Sequence, residues 1–381
     1  MRKIAAITGT RAEYGILKSV FKEIEASKEL QLSLIVSGMH LSSEFGHTID
    51  EINKDGFKIA AKIAALHRED TRASMAKSLG ECLSRTAEAL EKIDPDILLI
   101  LGDRSEMLVG AVAATYMDIP IGHIHGGDIS GNVDEPVRHA ITKLAHIHFA
   151  ATKESADRIL KMGEEPWRVH VVGAPGLDLI RSEKVPKPEN TAVKYRLDLS
   201  KPILLVVQHS VVAEADEASS QIRETLEAIK EVGFQTVLIY PSADAGGRRM
   251  VKVIKEYEKC PFMKTFKSLP RDQYLDLMKL ASVMVGNSSS GIIEAPSFQL
   301  SVVNIGGRQK GRQRAGNVID VQYDREEIKK AIKKALYDEE FRERVKNCKN
   351  FYGDGKAGKR IAKILSEIEV NRKLLEKRMT Y

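Results

Sequence analysis

Ala281-Ser282-Val283-Met284-Val285-Gly286-Asn287-Ser288-Ser289-Ser290-Gly291-Ile292-Ile293-Glu294 sets an apolar run directly before a Gly/Ser turn and a second segment with apolar residues at helical spacing. The run reads as a buried strand, and the serines fall where a helix begins. Such a strand–turn–helix junction presents unpaired backbone N–H groups and hydroxyls at the positive end of a helix. That setting receives phosphate. Glu294, further into the helix, has the wrong charge for phosphate but accepts hydrogen bonds from vicinal hydroxyls such as those of a ribose. Phosphate and diol on one helix point to a nucleotide.

Outward from this junction, apolar runs alternate with amphipathic stretches almost throughout, the signature of α/β architecture with parallel sheets. The first half predicts strands near 3–8, 31–37, 58–64, 96–101, 120–125, 147–151 and 169–172. Helical patterns between them include 13–26, 71–92, 105–116, 134–144 and 153–162. The pattern restarts with strands near 203–207, 235–240, 264–266, 282–285 and 301–305, and helices near 214–231, 246–258, 271–280 and 289–298. Residues 181–202 are polar, charged and Pro-containing, and read as a linker. The simplest architecture is two Rossmann-like doubly wound domains, 1–180 and 203–355, facing a central cleft. A last helix over about 357–381 is expected to pack back on the first domain.

The bulk composition narrows the class. A chain of 381 residues suits two domains better than one. Hydrophobic residues at 43% and charged residues at 29% are ordinary for a soluble globular protein. A net charge of +6 fits an anionic small molecule, and no segment is basic enough to predict a nucleic-acid partner. Cys82, Cys260 and Cys348 are far apart, which argues against a disulfide framework or a Cys-based metal site. The first apolar run is too short for a signal-peptide core, and no segment approaches a membrane span. The expectation is a cytoplasmic protein with no membrane partner.

Each polar cluster of interest lies just past a predicted strand, where open α/β sheets bind ligands. Arg11, in Gly9-Thr10-Arg11-Ala12-Glu13, is suited to bidentate phosphate binding. Asp103 and Arg104 follow Gly102 at the next strand end, a position that also serves helix capping. His123, His125 and Asp128 tempt a metal reading, but no fourth ligand is spaced to complete it, so no metal is expected. Asp134 reads as an N-cap with Arg138 one turn on. His209 ends the first strand of the second half and is placed to meet a diphosphate or a departing oxyanion. Arg308 lies in the cationic, Gly-rich stretch 304–312. No G-x-G-x-x-G stands at a strand–helix turn, so no nicotinamide cofactor is expected.

Taken together, GTRAEYG (9–15), GDRSE (102–106), HIHGGD (123–128), DEPVRHAITKLAH (134–146), QHS (208–210), GNSSSGIIEAPSF (286–298), NIGGRQKGR (304–312) and YGDGKA (352–357) resemble the hydrolysing UDP-N-acetylglucosamine 2-epimerases of sialic-acid and related nonulosonic-acid synthesis. The resemblance implies a fold like the GT-B glycosyltransferases, a homodimer and no cofactor. It also implies that Arg11, Arg104, His209, Ser288, Ser289, Glu294 and Arg308 contact UDP. Asp103 and Asp134 match acidic residues thought to be catalytic. Several relatives carry Glu, in the string HIEGG, where this chain has His125, so the acid/base role passes either to His125 or to nearby Asp128. The implied reaction expels UDP from C1, passes through 2-acetamidoglucal and adds water with inversion at C2 to give N-acetylmannosamine. Alternatives are the same reaction on UDP-2,4-diacetamido-2,4,6-trideoxyglucose for legionaminic-acid synthesis, a GT-B glycosyltransferase, or a non-catalytic nucleotide-sugar sensor.

Overall fold

The computed structural model describes residues 1–66, 69–131, 133–180 and 188–381. The apolar runs of the first half form a sheet of β1 (Arg2–Thr8), β2 (Leu30–Ser37), β3 (Ile59–Ile63), β4 (Ile97–Leu101), β5 (Ile121–Ile124), β6 (Ile147–Ala150) and β7 (Val169–Val171). Its strand order is β3-β2-β1-β4-β5-β6-β7. The second half forms β8 (Ile203–Val207), β9 (Gln235–Ile239), β10 (Met263–Phe266), β11 (Val283–Gly286), β12 (Ser301–Ile305) and β13 (Val318–Val321), ordered β10-β9-β8-β11-β12-β13. The pairings within both sheets are parallel. Parallel strands need helices on both faces, and β4 and β8 are accordingly buried along their whole length.

Strand order reverses between β1 and β4 and again between β8 and β11. Crossovers leave in opposite directions there, opening a crevice at the carboxyl ends of the strands. The turn after β1 carries Arg11, that after β4 carries Asp103, that after β8 carries His209, and that after β11 carries Ser288. The two crevices face one another across the space between the domains.

Four elements differ from the pattern in the sequence. β13 was not expected: a four-residue edge strand with half-exposed residues lacks an apolar run. The helix expected over 289–298 is one turn, Ser290–Ile293, followed by a 3-10 turn, Ala295–Phe298. Pro296 has no N–H to continue the helical ladder. The expected linker contains a helix, Pro188–Lys194, held by a 2.5 Å hydrogen bond from Thr191 Oγ1 to Asp276; residues 181–187 of that linker lie outside the described residues. The last helix is two, Ala357–Glu367 and Arg372–Leu375, the second capped by Asn371.

The chain nevertheless returns to the first sheet. Asp178 caps the helix Ala357–Glu367 by accepting from the N–H groups of Ala357 (2.9 Å) and Gly358 (2.7 Å). Ile361, Ala362, Leu365 and Leu374 then join the core built on β1 and β2. Burial of each large aliphatic chain contributes about 1.5–3 kcal/mol. Beyond that point the tail is tied by charge. Arg168, fully buried, donates to the carbonyls of Lys373, Leu374 and Glu376. Lys377 donates to the carbonyls of Lys143 and Ala145 at the end of the helix Asp134–Leu144.

Beneath this strap, Glu164 is buried and meets Lys143 (2.6 Å), Lys377 (2.8 Å) and His148 (3.0 Å). Burial pushes the Glu164 carboxyl up, but hydrogen bonds from His148, Lys143 and Lys377 outweigh it and hold the group at about 2 instead of 4.5. Burial also pushes Lys377 down to about 8, since its carboxylate partner does not offset the lost hydration and the neighbouring cations. Because Glu164 is depressed in the folded state, the unfolded chain binds the extra proton between about 4.5 and about 2. Its contribution, about 3 kcal/mol by that shift, is present above the upper value and lost as pH falls through the window. Urea unfolding across this range should show that acid-side loss in the native chain. Glu164→Gln should lack it and be less stable at pH 7 by about 3 kcal/mol, since two lysines lose their buried counter-charge.

Candidate functional site

Arg11 is the first residue of the helix Arg11–Ala26 because Thr10 and Glu13 form a capping box before it. Thr10 Oγ1 accepts from Glu13 N at 3.3 Å, and Glu13 Oε2 accepts from the N–H groups of Thr10 (2.9 Å) and Gly9 (3.0 Å). This box fixes the turn. Arg11 Nε donates to Glu51 at 2.8 Å, while Nη2 is buried without a protein partner at the cleft wall. Burial pushes the Glu13 carboxyl up to about 7, Arg104 opposing and Glu106 adding to that rise.

After β4, Gly102 takes a left-handed turn (φ 73) into Asp103 and Arg104. Asp103 pairs with Arg138. Arg104 donates through Nη2 to Asp244 at 3.2 Å and lies 3.5 Å from Glu106. Burial opposes the Arg104 charge, and the carboxylates of Asp244, Glu106, Glu13 and Asp134 overcome that cost and raise it. Asp134 is not an N-cap: Val133 occupies that position and Asp134 opens the helix. Its carboxylate instead spans the cleft to Arg308 at 3.4 Å.

The two histidines of the short motif part company. His123, fully buried in β5, bonds Gly102 O through Nε2 at 2.7 Å, and burial pushes it down to about 3. His125 lies past the strand end, lines the cleft and meets Asp128 Oδ2 through Nδ1 at 3.0 Å. No group of three or more His, Cys, Asp or Glu side chains placed to hold a metal ion occurs among the described residues.

On the opposite wall, Gly286 (φ 129) must be glycine, because a Cβ there would stand 2.1 Å from Val207 O. That close approach brings Asn287 to His209: Asn287 Oδ1 accepts from His209 N (2.7 Å) and Nδ2 donates to His209 O (2.9 Å). His209 Nδ1 accepts from Ser242 N at 3.1 Å, so its ring proton sits on Nε2. Burial pushes His209 down to about 3, with Arg308 adding to the effect and Asp244 opposing it. The ring is therefore a neutral N–H donor.

Ser288 and Ser289 stand before the single helical turn Ser290–Ile293. Ser288 Oγ lies 2.7 Å from Ser290 Oγ, which lies 2.6 Å from Tyr274 OH. So short a helix has little macrodipole, and the anion donors on this wall are local N–H and O–H groups. Glu294 pairs with Arg271, whose Nη2 also reaches Gly176 O at 3.0 Å, so one oxygen of the expected ribose acceptor is already engaged.

All the sequence-selected residues line one cleft: Arg11, Asp103, Arg104, His125, Asp128, Asp134, His209, Ser288, Ser289, Glu294 and Arg308. Sequence reasoning gave no role to Arg138, Asp244, Arg271 or Tyr274, which the structure places on the same walls. Asp244 and Arg271 follow the ends of β9 and β10, and strand-end position was the signal available for both.

Two facing doubly wound domains with a cationic, serine-lined wall opposite a carboxylate wall define a GT-B-like protein built for a nucleotide-linked substrate. The sequence model described as UDP-N-acetylglucosamine 2-epimerase matches residues 22–366. A UDP-N,N'-diacetylbacillosamine 2-epimerase (hydrolyzing) from Legionella pneumophila is 41% identical over 381 residues, covering 100% of both chains. A UDP-N-acetylglucosamine 2-epimerase from Neisseria meningitidis is 32% identical over 335 residues, 88% of each chain. The fold is similar to that of the Methanocaldococcus jannaschii UDP-GlcNAc 2-epimerase solved with UDP-GlcNAc and UDP, with a TM-score of 0.80, 20% identity and coverage of 96% of this chain and 99% of that one. The chain belongs to the UDP-N-acetylglucosamine 2-epimerase family and is a UDP-sugar 2-epimerase.

Inorganic pyrophosphate titrated calorimetrically probes the anion wall without any sugar. His209→Ala removes one oriented donor and should weaken pyrophosphate binding about tenfold. Unchanged affinity would show that the Nε2–H does not face the anion.

Proposed function

We propose that the enzyme is a hydrolysing 2-epimerase of a UDP-linked 2-acetamido sugar. The observation that carries this reading is the division of labour across the cleft. Half-buried donors, His209 and Arg308 on the second domain and Arg11 on the first, share the cleft with the first-domain carboxylates Asp103 and Asp134. The C2 proton of the sugar is not next to a carbonyl, so its direct removal leaves an unstabilised carbanion. Expulsion of UDP from C1 gives oxocarbenium character there and acidifies C2. The donors on the second domain and Arg11 stabilise the departing diphosphate where its charge develops, and a carboxylate takes the C2 proton. The ion pair with Arg138 holds the Asp103 carboxylate in place at the cleft wall. Water then adds to C1 of the 2-acetamidoglucal, and a proton returns to C2 on the other face. Inversion needs acid/base groups on both faces, and Asp134 or His125 supplies the second. Ser288, Ser289 and Arg104 complete the UDP site, and Glu294 takes the ribose through the oxygen not engaged by Arg271.

A further observation bears on the identity of the sugar. UDP-N-acetylglucosamine is the substrate to which the motifs alone point. The relative aligned over the whole of both chains at 41% identity is named for UDP-N,N'-diacetylbacillosamine, and one from Campylobacter jejuni at 35% is named for its GDP- or UDP-linked form. These similarities favour the 2,4-diacetamido-2,4,6-trideoxy sugar, with a product suited to legionaminic-acid synthesis. Domains at 1–180 and 203–355, a homodimer and a cytoplasmic location belong to the same reading and rest on family resemblance.

Incubation with each UDP-sugar in D2O, followed by NMR, tests the chemistry. The expected products are free UDP and a free manno-configured sugar with deuterium at C2. A product still linked to UDP would remove hydrolysis, and one lacking deuterium would remove the elimination route. The ratio of kcat/KM for the two sugar nucleotides should favour the diacetamido substrate. Asp103→Asn should lower kcat by roughly 10²–10⁴ with UDP affinity retained.

A further inference from the structure

His125 differs from the other polar groups of the cleft in its backbone. Its φ is 63, a left-handed conformation costly for a residue with a side chain and found where surrounding structure enforces it. The enforcement comes from the next residues. Gly127 (φ 75) approaches the helix Lys153–Lys161 so closely that a Cβ would stand 2.2 Å from Ser155 O. Arg138 Nη1 holds Asp128 O at 2.9 Å, and Arg158 holds Gly127 O. The result is a chain of side chains running from the cleft into the protein. His125 Nδ1 meets Asp128 Oδ2 at 3.0 Å, Ser155 Oγ donates to Asp128 Oδ1 at 2.6 Å, and Thr152 Oγ1 lies 3.0 Å from Ser155 Oγ.

An ionised carboxylate only accepts hydrogen bonds, so the partner Nδ1 carries the ring proton and Nε2 keeps its lone pair. Asp128 is 3% exposed and has each oxygen committed to a partner on the protein. Burial pushes its carboxyl up, but the hydrogen bond and charge of His125, the charge of Arg312 and the Ser155 hydroxyl outweigh that and keep it below the usual range. We propose that His125 is a proton-transfer group of the epimerase acting through Nε2, and that Asp128 and Ser155 are positioning residues that fix its tautomer and ring plane. The proposal rests on the epimerase reading of the cleft. A proton taken onto Nε2 from the water that adds to C1 turns the ring into imidazolium beside the Asp128 carboxylate, taking the pair from one negative charge to none. Nε2 then gives that proton to C2, on the face opposite the one a carboxylate deprotonates. Asp128 acts on the ring and not on the sugar.

The groups facing His125 bear on any pH test. Asp128 lies on its own loop, Arg312 comes from the loop of the second domain, His123 lies beneath in β5, and Asp103, Asp134 and Arg138 share the cleft. Steady-state kinetics on His125→Gln, Asp128→Asn, Asp128→Ala and Ser155→Ala, with UDP affinity measured in parallel, separate the roles. Asp128→Ala and Ser155→Ala should lower kcat roughly 10–100-fold while KM and the Kd for UDP change less than threefold. The pH limb that His125→Gln abolishes should move to lower pH by on the order of one unit in Asp128→Asn, which keeps an acceptor but loses the charge. Histidine 15N NMR should show His125 protonated at Nδ1 in the native chain and a mixed tautomer in Asp128→Ala. An unshifted pH profile with unchanged kcat in Asp128→Ala and Ser155→Ala overturns the proposal, as does a His125 signal protonated at Nε2. Ser155→Ala, a deletion of one oxygen, serves where Asp128→Ala does not fold. Absence of turnover on any UDP-sugar sinks the epimerase chemistry instead, and the NMR arm still decides the tautomer.

Discussion

The side chain of Asn287 is where the binding wall of the second domain is assembled. It is fully buried, and its amide forms a reciprocal pair with the backbone N–H and C=O of His209. Its own carbonyl accepts from Arg308 (3.2 Å) and from Gln309 (2.9 Å). One residue therefore ties together the turns after β8, β11 and β12. The tie needs Gly286 before it, because any side chain there would collide with Val207 O. Each amide bond contributes on the order of 1 kcal/mol, but a broken one leaves a buried polar group unsatisfied, which costs more. The geometry is cooperative: His209, Ser288 and Arg308 are held in one register or not at all.

That rigid wall explains how the cleft keeps so many charges out of water. An unpaired buried ion costs several kcal/mol, and the site answers with pairs: Arg104 with Asp244, Arg308 with Asp134, Arg271 with Glu294, Arg138 with Asp103. The first two pairs join the domains across the cleft. On the proposed function, an incoming diphosphate would offer Arg104 and Arg308 a competing anion in place of Asp244 and Asp134. Preorganised charge of this kind costs no reorganisation when negative charge develops on a leaving group.

Much of this was legible in the sequence, and the gaps have physical causes. The inner strands β1, β2, β4, β5 and β6 of the first sheet were readable because parallel strands buried on both faces are continuous apolar runs. β13 was not, since an edge strand holding Asp320 lacks such a run. The cleft residues were found because each follows a strand end. Arg271 follows a strand end as well, but its turn lacks the glycines and histidines that drew attention elsewhere, whereas Asp244 stands just before Gly246-Gly247, a signal that was passed over. The capping role expected for Asp134 failed by a single residue. Val133 holds the cap without a side-chain hydrogen bond, and that displacement turns the carboxylate outward to Arg308.

The same displacement bears on how the two halves of the reaction communicate. Asp134 and Arg308 meet across the cleft at 3.4 Å, a loose pair and not a tight one. On the proposed function, a diphosphate drawing Arg308 toward itself alters that contact and with it the placement of Asp134. On the proposed chemistry, the group that stabilises the leaving UDP therefore also bears on the position of a carboxylate beside the sugar. His125 has no such cross-cleft carboxylate pairing: its charge partner Asp128 belongs to its own loop and is held by Ser155. On that chemistry the cleft offers one acid/base group whose placement follows the nucleotide and another whose placement is set by the fold. Removal of a proton on one face and its return on the other call for two groups of unlike behaviour.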